Sequence, residues 1–272
     1  MRGKTRVTSK CSRITFAGLV PVMLALSIIV APPVTAQKAL LDPAATQTLQ
    51  QMTDYLDSLK QFSVHTQITV EDLLATGQRI DTDISTNVII SRPNRLHAER
   101  KGELLDQAFY YDGKTLTLYN STDGVYANEP APATIEGMLD YARESLGLII
   151  PVSDLAYRNA YPLLMQGVTS AMVIGKAVIN GVTCDHLAFS RPDVDFQIWI
   201  ADAERPLPCK YVVTDTSTPA LISISTVMSD WNVAPQVSDK RFTFVPPDGA
   251  QAISFMPLDT GGTAATGTGA GR

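Results

Sequence analysis

A regular two-residue alternation over residues 79–90 constrains this chain more than any other feature of its sequence. Apolar or β-branched side chains occupy every second position from Ile80 to Ile90, and polar side chains stand between them as far as Asn87. Successive side chains of a strand point to opposite faces, so the run predicts a strand with one solvated and one buried face. A sheet that is solvated on one side is typical of antiparallel architecture.

Similar β-rich runs recur along most of the chain, and short turn sequences separate them. Asp112-Gly113, Asp123-Gly124 and Asn180-Gly181 are typical of two-residue hairpin turns. The pattern therefore predicts an α+β protein that is mostly antiparallel β, built as a meander. Its strands are predicted at residues 62–70, 80–90, 96–100, 104–111, 114–119, 124–127, 171–179, 182–189, 195–200, 209–214, 221–231 and 242–245.

Two helical regions interrupt this pattern. Asp42-Pro43 predicts the start of an N-terminal helix, because aspartate caps helices and proline is tolerated at the first helical position. An insertion at about residues 134–166 is unusually apolar for a surface connection, and it is either a buried core element or a lid over a cavity. Its helices are predicted at Thr134–Leu146 and at about Val152–Gln166, the second broken near Tyr161-Pro162.

Both ends of the chain are predicted to lie outside the folded domain. Basic residues precede an apolar run from Ile14 to Val30, and Val34-Thr35-Ala36 follows, which is typical of a secretory signal cleaved near Ala36. An uncleaved anchor is the alternative, but about 17 apolar residues fall short of a roughly 30 Å hydrocarbon core. A single β domain is expected at residues 37–258, and the Gly/Thr/Ala-rich residues 259–272 are expected to be disordered.

The charge of the chain excludes some partners. Without residues 1–36 the sequence keeps 17 basic and 27 acidic residues, a net charge of −10. A surface this acidic repels phosphate backbones and anionic membrane surfaces, which argues against a nucleic-acid-binding protein and against polybasic docking to a membrane.

The sequence contains no convincing catalytic or metal-binding constellation. Asp185 and His186 are neighbours on a predicted strand, so their side chains point to opposite faces. His65 and His97 lie on other strands, without metal-ligand spacing. Asp193 and Asp195 flank a predicted turn, where turn chemistry explains them better than an acid–base pair. We therefore expect no enzyme, no cofactor and no metal site.

Cys184 and Cys209 are the cysteines of the predicted mature chain. An oxidising compartment favours a disulfide between them. In a meander, however, they lie on the first and third of three strands, about 9 to 10 Å apart, whereas a disulfide needs Cα atoms within roughly 7 Å. This separation favours buried free thiols, with the disulfide as the alternative.

The segments around these cysteines resemble an uncharacterised bacterial periplasmic family, domain-of-unknown-function family 2092. The likeness covers Leu40 to about Ile253, and Cys209 stands where an arginine is expected in members of the family. The family is similar in architecture to the LolA, LolB and RseB group, which implies a strongly curved, half-open β-barrel with helices against its concave face. The matching segments are Arg92–Leu96, Gly181–Phe189, Asp195–Ile200, Arg205–Lys210 and Phe244–Ala250.

Two functions are compatible with this sequence. The first is a non-catalytic periplasmic binding protein that holds an apolar ligand, a lipid or lipoprotein acyl chain, between the concave face and the insertion. The second is an interaction or sensing module with a filled core, whose partner is another envelope protein. Trp199 and Trp231 are candidates for pocket lining, with core packing as the alternative. The residues predicted to line a ligand site are Ile84, Val88, Leu118, Met138, Tyr141 and Trp199.

Overall fold

The computed structural model describes residues 40–103, 105–148 and 150–255. The predicted signal peptide and the predicted disordered tail both lie outside these residues. Within them the chain forms thirteen strands. Their bounds are β1 Leu40–Leu41, β2 Gln61–Leu73, β3 Arg79–Ser91, β4 Arg95–Gly102, β5 Asp106–Tyr111, β6 Thr115–Asn120, β7 Val125–Pro130, β8 Ser170–Ile179, β9 Val182–Arg191, β10 Val194–Ala201, β11 Pro208–Asp215, β12 Ser223–Asn232 and β13 Gln251–Ile253.

All thirteen strands belong to one curved, open sheet. Their order is β1-β8-β9-β10-β11-β12-β2-β3-β4-β5-β6-β7-β13. Two antiparallel meanders, β2–β7 and β8–β12, are joined where β12 pairs with β2. Among the described strands, only the edge strands β1 and β13 pair in parallel, with β8 and β7 respectively. The predicted fold class is therefore confirmed, although neither edge strand was predicted.

The helices lie against the buried face of this sheet. They are α1 Pro43–Ser58, α2 Ile135–Glu144 and α3 Ala160–Met165, with a 3₁₀ turn at Ser153–Ala156 between the last two. Asp42 caps α1 as predicted, because its carboxylate accepts a hydrogen bond from the Ala44 N–H at 2.9 Å. Thr134 caps α2 in the same way through the Gly137 N–H, at 3.1 Å.

Two local predictions in these regions were wrong. The insertion does not break at Tyr161-Pro162, since Pro162 lies in the first turn of α3, where a missing N–H is tolerated. The break falls at residues 157–159, and Asn159 adopts a left-handed conformation with φ 51°. Residues 242–245 form no strand, because a 3₁₀ turn occupies Asp239–Phe242 and Phe244 packs outside the sheet against Tyr110, Tyr119 and Tyr126.

The apolar core divides into two clusters on the concave face. We call the first the filled half: α1 and α3 pack on β8–β11, and Leu49 and Met52 of α1 are fully buried. We call the second the cavity half: α2 and Ala156 pack on strands β2–β6. Val88 and Trp231 contact both clusters, so they mark the seam between the two halves.

The prediction that favoured free thiols for the two cysteines was wrong. Cys184 and Cys209 form a disulfide, with Cα atoms 7.0 Å apart rather than the predicted 9 to 10 Å. The register of β10 and β11 shifts between Trp199 and Ile200, which leaves Cys209 as the extra residue of a β-bulge. A bulge bends its strand and exchanges the faces that its side chains occupy. Cys209 is thereby brought to Cys184 on the convex face.

Candidate functional site

The cavity half contains an apolar cavity of about 110 Å³ that is partly open to solvent. Its floor is the concave face of β2–β6, and its cover is formed by α2 and residues 150–156. At the seam, Met228 and Trp231 close the side that faces β12. The floor is lined mainly by Phe62, Val64, Val88, Ile90, Leu96 and Phe109. The cover contributes Met138, Leu139, Ile150, Val152, Leu155 and Ala156.

A buried arginine ties the cover to the sheet. The Arg92 side chain is only 1% exposed, and its Nη1 donates a hydrogen bond to the Ala156 carbonyl at 2.8 Å. The same nitrogen lies 3.7 Å from the Glu136 carboxylate at the start of α2. Burial lowers the pKa of the Arg92 guanidinium, and the charges of Glu136 and Asp57 oppose that shift. Arg92 therefore holds α2 and the 3₁₀ turn in place over the cavity.

The opposite end of the cavity is polar. Thr66, Thr86 and Arg100 lie side by side on β2, β3 and β4, because Thr86 is the register partner of both other residues. All three border the cavity, and both threonines are buried. Burial alone lowers the pKa of the Arg100 guanidinium, with no contribution from a neighbouring charge. The site therefore has an apolar body and a cationic end.

Of the predicted lining residues, Val88 and Met138 border the cavity. Ile84 is buried on the same face as Thr86 but outside the cavity wall, and Leu118 packs at the margin of the cavity half. Tyr141, on α2, is half-buried and does not border the cavity. These three corrections concern residues at the margin, because the sequence pattern predicts the face of an element but not the extent of a cavity.

Trp199 is a fourth and larger correction, because it lies on the convex face rather than in the cavity. Its ring stacks on His186 with centroids 4.0 Å apart, beside the disulfide. Trp231 lines the cavity in its place. The pairing of β12 with β2 shifts after Ser229, and Asp230 has φ 52°, so this irregularity turns Trp231 toward the concave side.

The residues that could have suggested catalysis or metal binding are dispersed. The Asp185 carboxylate accepts from Lys176 Nζ at 2.9 Å, whereas His186 hydrogen-bonds Gln197 at 3.0 Å. His65 bonds Asn87, and the buried His97 bonds the Phe109 carbonyl and Glu99. Within the described part of the chain, no three potential metal ligands cluster together. No helix there has the length and hydropathy needed to cross a membrane.

Arg100 was not among the residues predicted to line the site, although the sequence pattern indicates it. Leu96, Ala98 and Arg100 share one face of β4, and the first two are buried. A charged residue at a position of the buried face is a recognisable departure from alternation. Thr66 and Thr86 carried no such signal, because β-branched threonine fits an apolar strand pattern.

A family model described as "Predicted periplasmic protein (DUF2092)" matches residues 45–256. No curated protein matches the sequence. An uncharacterized conserved protein from Thermus thermophilus is similar in structure, with a TM-score of 0.46 and 10% identity over 78% of this chain and 99% of that chain. Mycobacterium tuberculosis lipoprotein LppX scores 0.43, with 15% identity over 72% and 100% of the two chains.

The MucA/MucB complex of Pseudomonas aeruginosa contains a third similar chain. Its TM-score is 0.40, with 12% identity over 74% of this chain and 61% of that chain. At these identities and scores, the likeness carries no ligand or partner across to this protein.

Proposed function

The chain belongs to the DUF2092 family of predicted periplasmic proteins, and we propose that it binds the end of an acyl chain, from a lipid or lipoprotein, in the cavity half. The observation that carries this proposal is the apolar cavity of about 110 Å³ beneath a separate cover. An engineered apolar cavity of roughly 150 Å³ stays dry and binds benzene, so a space of this size suits a short apolar segment. The function is binding, without a chemical step.

The construction of the cover supports this assignment. The described residues of 145–152 form no regular secondary structure, and the cover is attached to the sheet at Arg92 by a small number of polar contacts. Segments with few backbone hydrogen bonds open at low free energy. A chain longer than the cavity can therefore be accommodated when residues 150–156 move away from the floor.

Displacement of a fluorescent apolar probe, N-phenyl-1-naphthylamine, by dodecanoate tests the proposal. Val88→Phe should raise the dissociation constants of probe and dodecanoate at least tenfold, because the larger ring fills the cavity from its floor. Val178→Phe is the matched control, since Val178 lies on β8 and is 67% exposed, and it should bind like the wild type. Met138→Phe provides a second filling variant on α2.

Two results would contradict acyl-chain binding. One is a wild-type protein that takes up neither probe nor dodecanoate, which would favour the alternative interaction module. The other is unchanged affinity in both filling variants, with thermal unfolding showing that they are folded.

A further inference from the structure

Arg100 borders the cavity at a position where a purely apolar ligand would not interact with its charge. Its side chain projects from β4 into the concave face and borders the cavity, in register with Thr86. The acidic and basic neighbours on the same strand, Glu99 and Lys101, point to the opposite face and are exposed. The guanidinium is therefore separated from the charged surface of the molecule.

Arg100 has no anionic partner among the described residues. Its Nε is buried without a hydrogen bond, and none of the ion pairs there includes its guanidinium. Among the described residues, the contact that offsets its charge is the Phe109 ring, whose centroid lies 5.5 Å from Cζ. The Arg92 guanidinium also has two buried nitrogens, Nε and Nη2, without hydrogen bonds, but its Nη1 reaches the Ala156 carbonyl and faces Glu136. The Arg100 side chain is half-buried, so its charge is partly withdrawn from water without an anionic partner, which is unfavourable and needs an explanation.

A second unpartnered group lies beside the arginine. Thr86 is 5% exposed, and its Oγ1 has no hydrogen-bond partner within the described ranges. Buried hydroxyls are normally satisfied, so two adjacent unsatisfied donors at one end of a cavity indicate a binding site for an acceptor. The guanidinium stays protonated at neutral pH despite its burial, and its fork of N–H donors fits a carboxylate or phosphate.

We propose that Arg100 and Thr86 bind the anionic head group, carboxylate or phosphate, of a single-chain amphiphile whose tail occupies the cavity. The inference rests on the proposed function and specifies its ligand class. The tail would lie along Val88, Phe109 and Leu96, and the head would be held at the level of Thr86. An acidic protein surface is compatible with this arrangement, because recognition takes place at one half-buried cation on the concave face instead of at a basic patch.

Probe displacement with four ligands tests the inference. Three are amphiphiles, dodecanoate, dodecyl phosphate and dodecanol, each used below the concentration at which it aggregates. The fourth is inorganic phosphate. The wild type should bind dodecanoate or dodecyl phosphate at least tenfold more tightly than dodecanol, and the tighter of the two identifies the head group. Arg100→Met should remove that preference and leave dodecanol affinity unchanged within about twofold. Thr86→Val, which keeps the side-chain shape, should raise the dissociation constant of the preferred anion several-fold.

Arg95→Met is the matched control, because Arg95 lies on the same strand with its side chain on the other face, where it pairs with Asp239 at 2.7 Å. It should keep the full preference for the anion. Without ligand, Arg100→Met should melt at a higher temperature than the wild type, since it removes an unpaired, half-buried charge.

Different results would contradict the head-group site and the proposed apolar binding. Equal affinity for dodecanoate, dodecyl phosphate and dodecanol in the wild type overturns the head-group site but leaves apolar binding intact. Competition by inorganic phosphate as strong as that of dodecyl phosphate also overturns it, because the site would then recognise a free anion. Binding of none of the three amphiphiles contradicts the proposed function itself.

Discussion

The filled half and the cavity half present similar apolar strands but are covered differently. In the filled half, the sixteen-residue helix α1 is buried along one face, and α3 packs beside it. In the cavity half, the ten-residue helix α2 buries Ile135 and Met138 at one end of the floor, and an irregular segment covers the rest. The cover, more than the strand pattern, therefore decides whether a concave face becomes a packed core or a cavity.

Truncation of one side chain in each half tests this contrast most strongly. Leu49 on α1 is 0% exposed, so Leu49→Ala should lower the free energy of unfolding by about 4 kcal/mol through lost transfer energy and a new cavity. Val88→Ala removes atoms that already border a cavity, and its loss should be about 1 kcal/mol. Urea unfolding measures both. Equal losses would mean that the two halves are packed alike.

The disulfide on the convex face provides a second test of the difference between the two halves. Cys184 and Cys209 close a loop with a sequence separation of 25 behind the filled half, which contributes about 3.5 kcal/mol in the chain-entropy model. Replacing both with alanine should lower the free energy of unfolding by about that amount, while the Kd for dodecanoate stays the same. Urea unfolding and probe displacement on the same samples check this. A parallel loss of affinity would show that the halves are coupled.

The smallest expected effect lies at the seam, at Asp154 in the 3₁₀ turn. Burial raises the pKa of its carboxyl, and the charges of Arg191 and Arg143 oppose the shift. Because the folded-state pKa is above the unfolded value, the associated stability is present below the unfolded pKa and is lost as pH rises through the folded pKa. Asp154→Asn should thus stabilise the protein by about 1 kcal/mol or less at pH 7 and by less near pH 3, measured by urea unfolding. A larger gain at low pH would contradict this sign.

Most of the fold was predictable because its signals are local. Alternation defines strands such as β3, and Asp42-Pro43 defines the start of α1. Asn180-Gly181 turns β8 into β9 with φ values of 50° and 82°, which is the conformation that this pair favours in a hairpin. The pairing of β12 with β2 and the parallel edge strands depend on contacts between distant residues, which no local pattern encodes.

The site was less predictable, because single-residue irregularities decide which face a side chain occupies. One bulge brings Cys209 to Cys184, and the irregularity near Asp230 turns Trp231 inward, so a perfect two-residue period misplaces both. Arg100 was accessible to sequence reasoning, since it shares a face with Leu96 and Ala98. Its lack of an anionic partner could be recognised only once the surrounding strands were in place.

The placement of α1 also affects the order in which the chain can fold. The helix lies near the start of the described residues, but the strands β8–β11 that bury Leu49 and Met52 follow in the chain only after the whole first meander. If the chain becomes available from its N-terminal end, as it does for domains that fold during synthesis or after export, α1 is an amphipathic helix without a partner until the second meander is present.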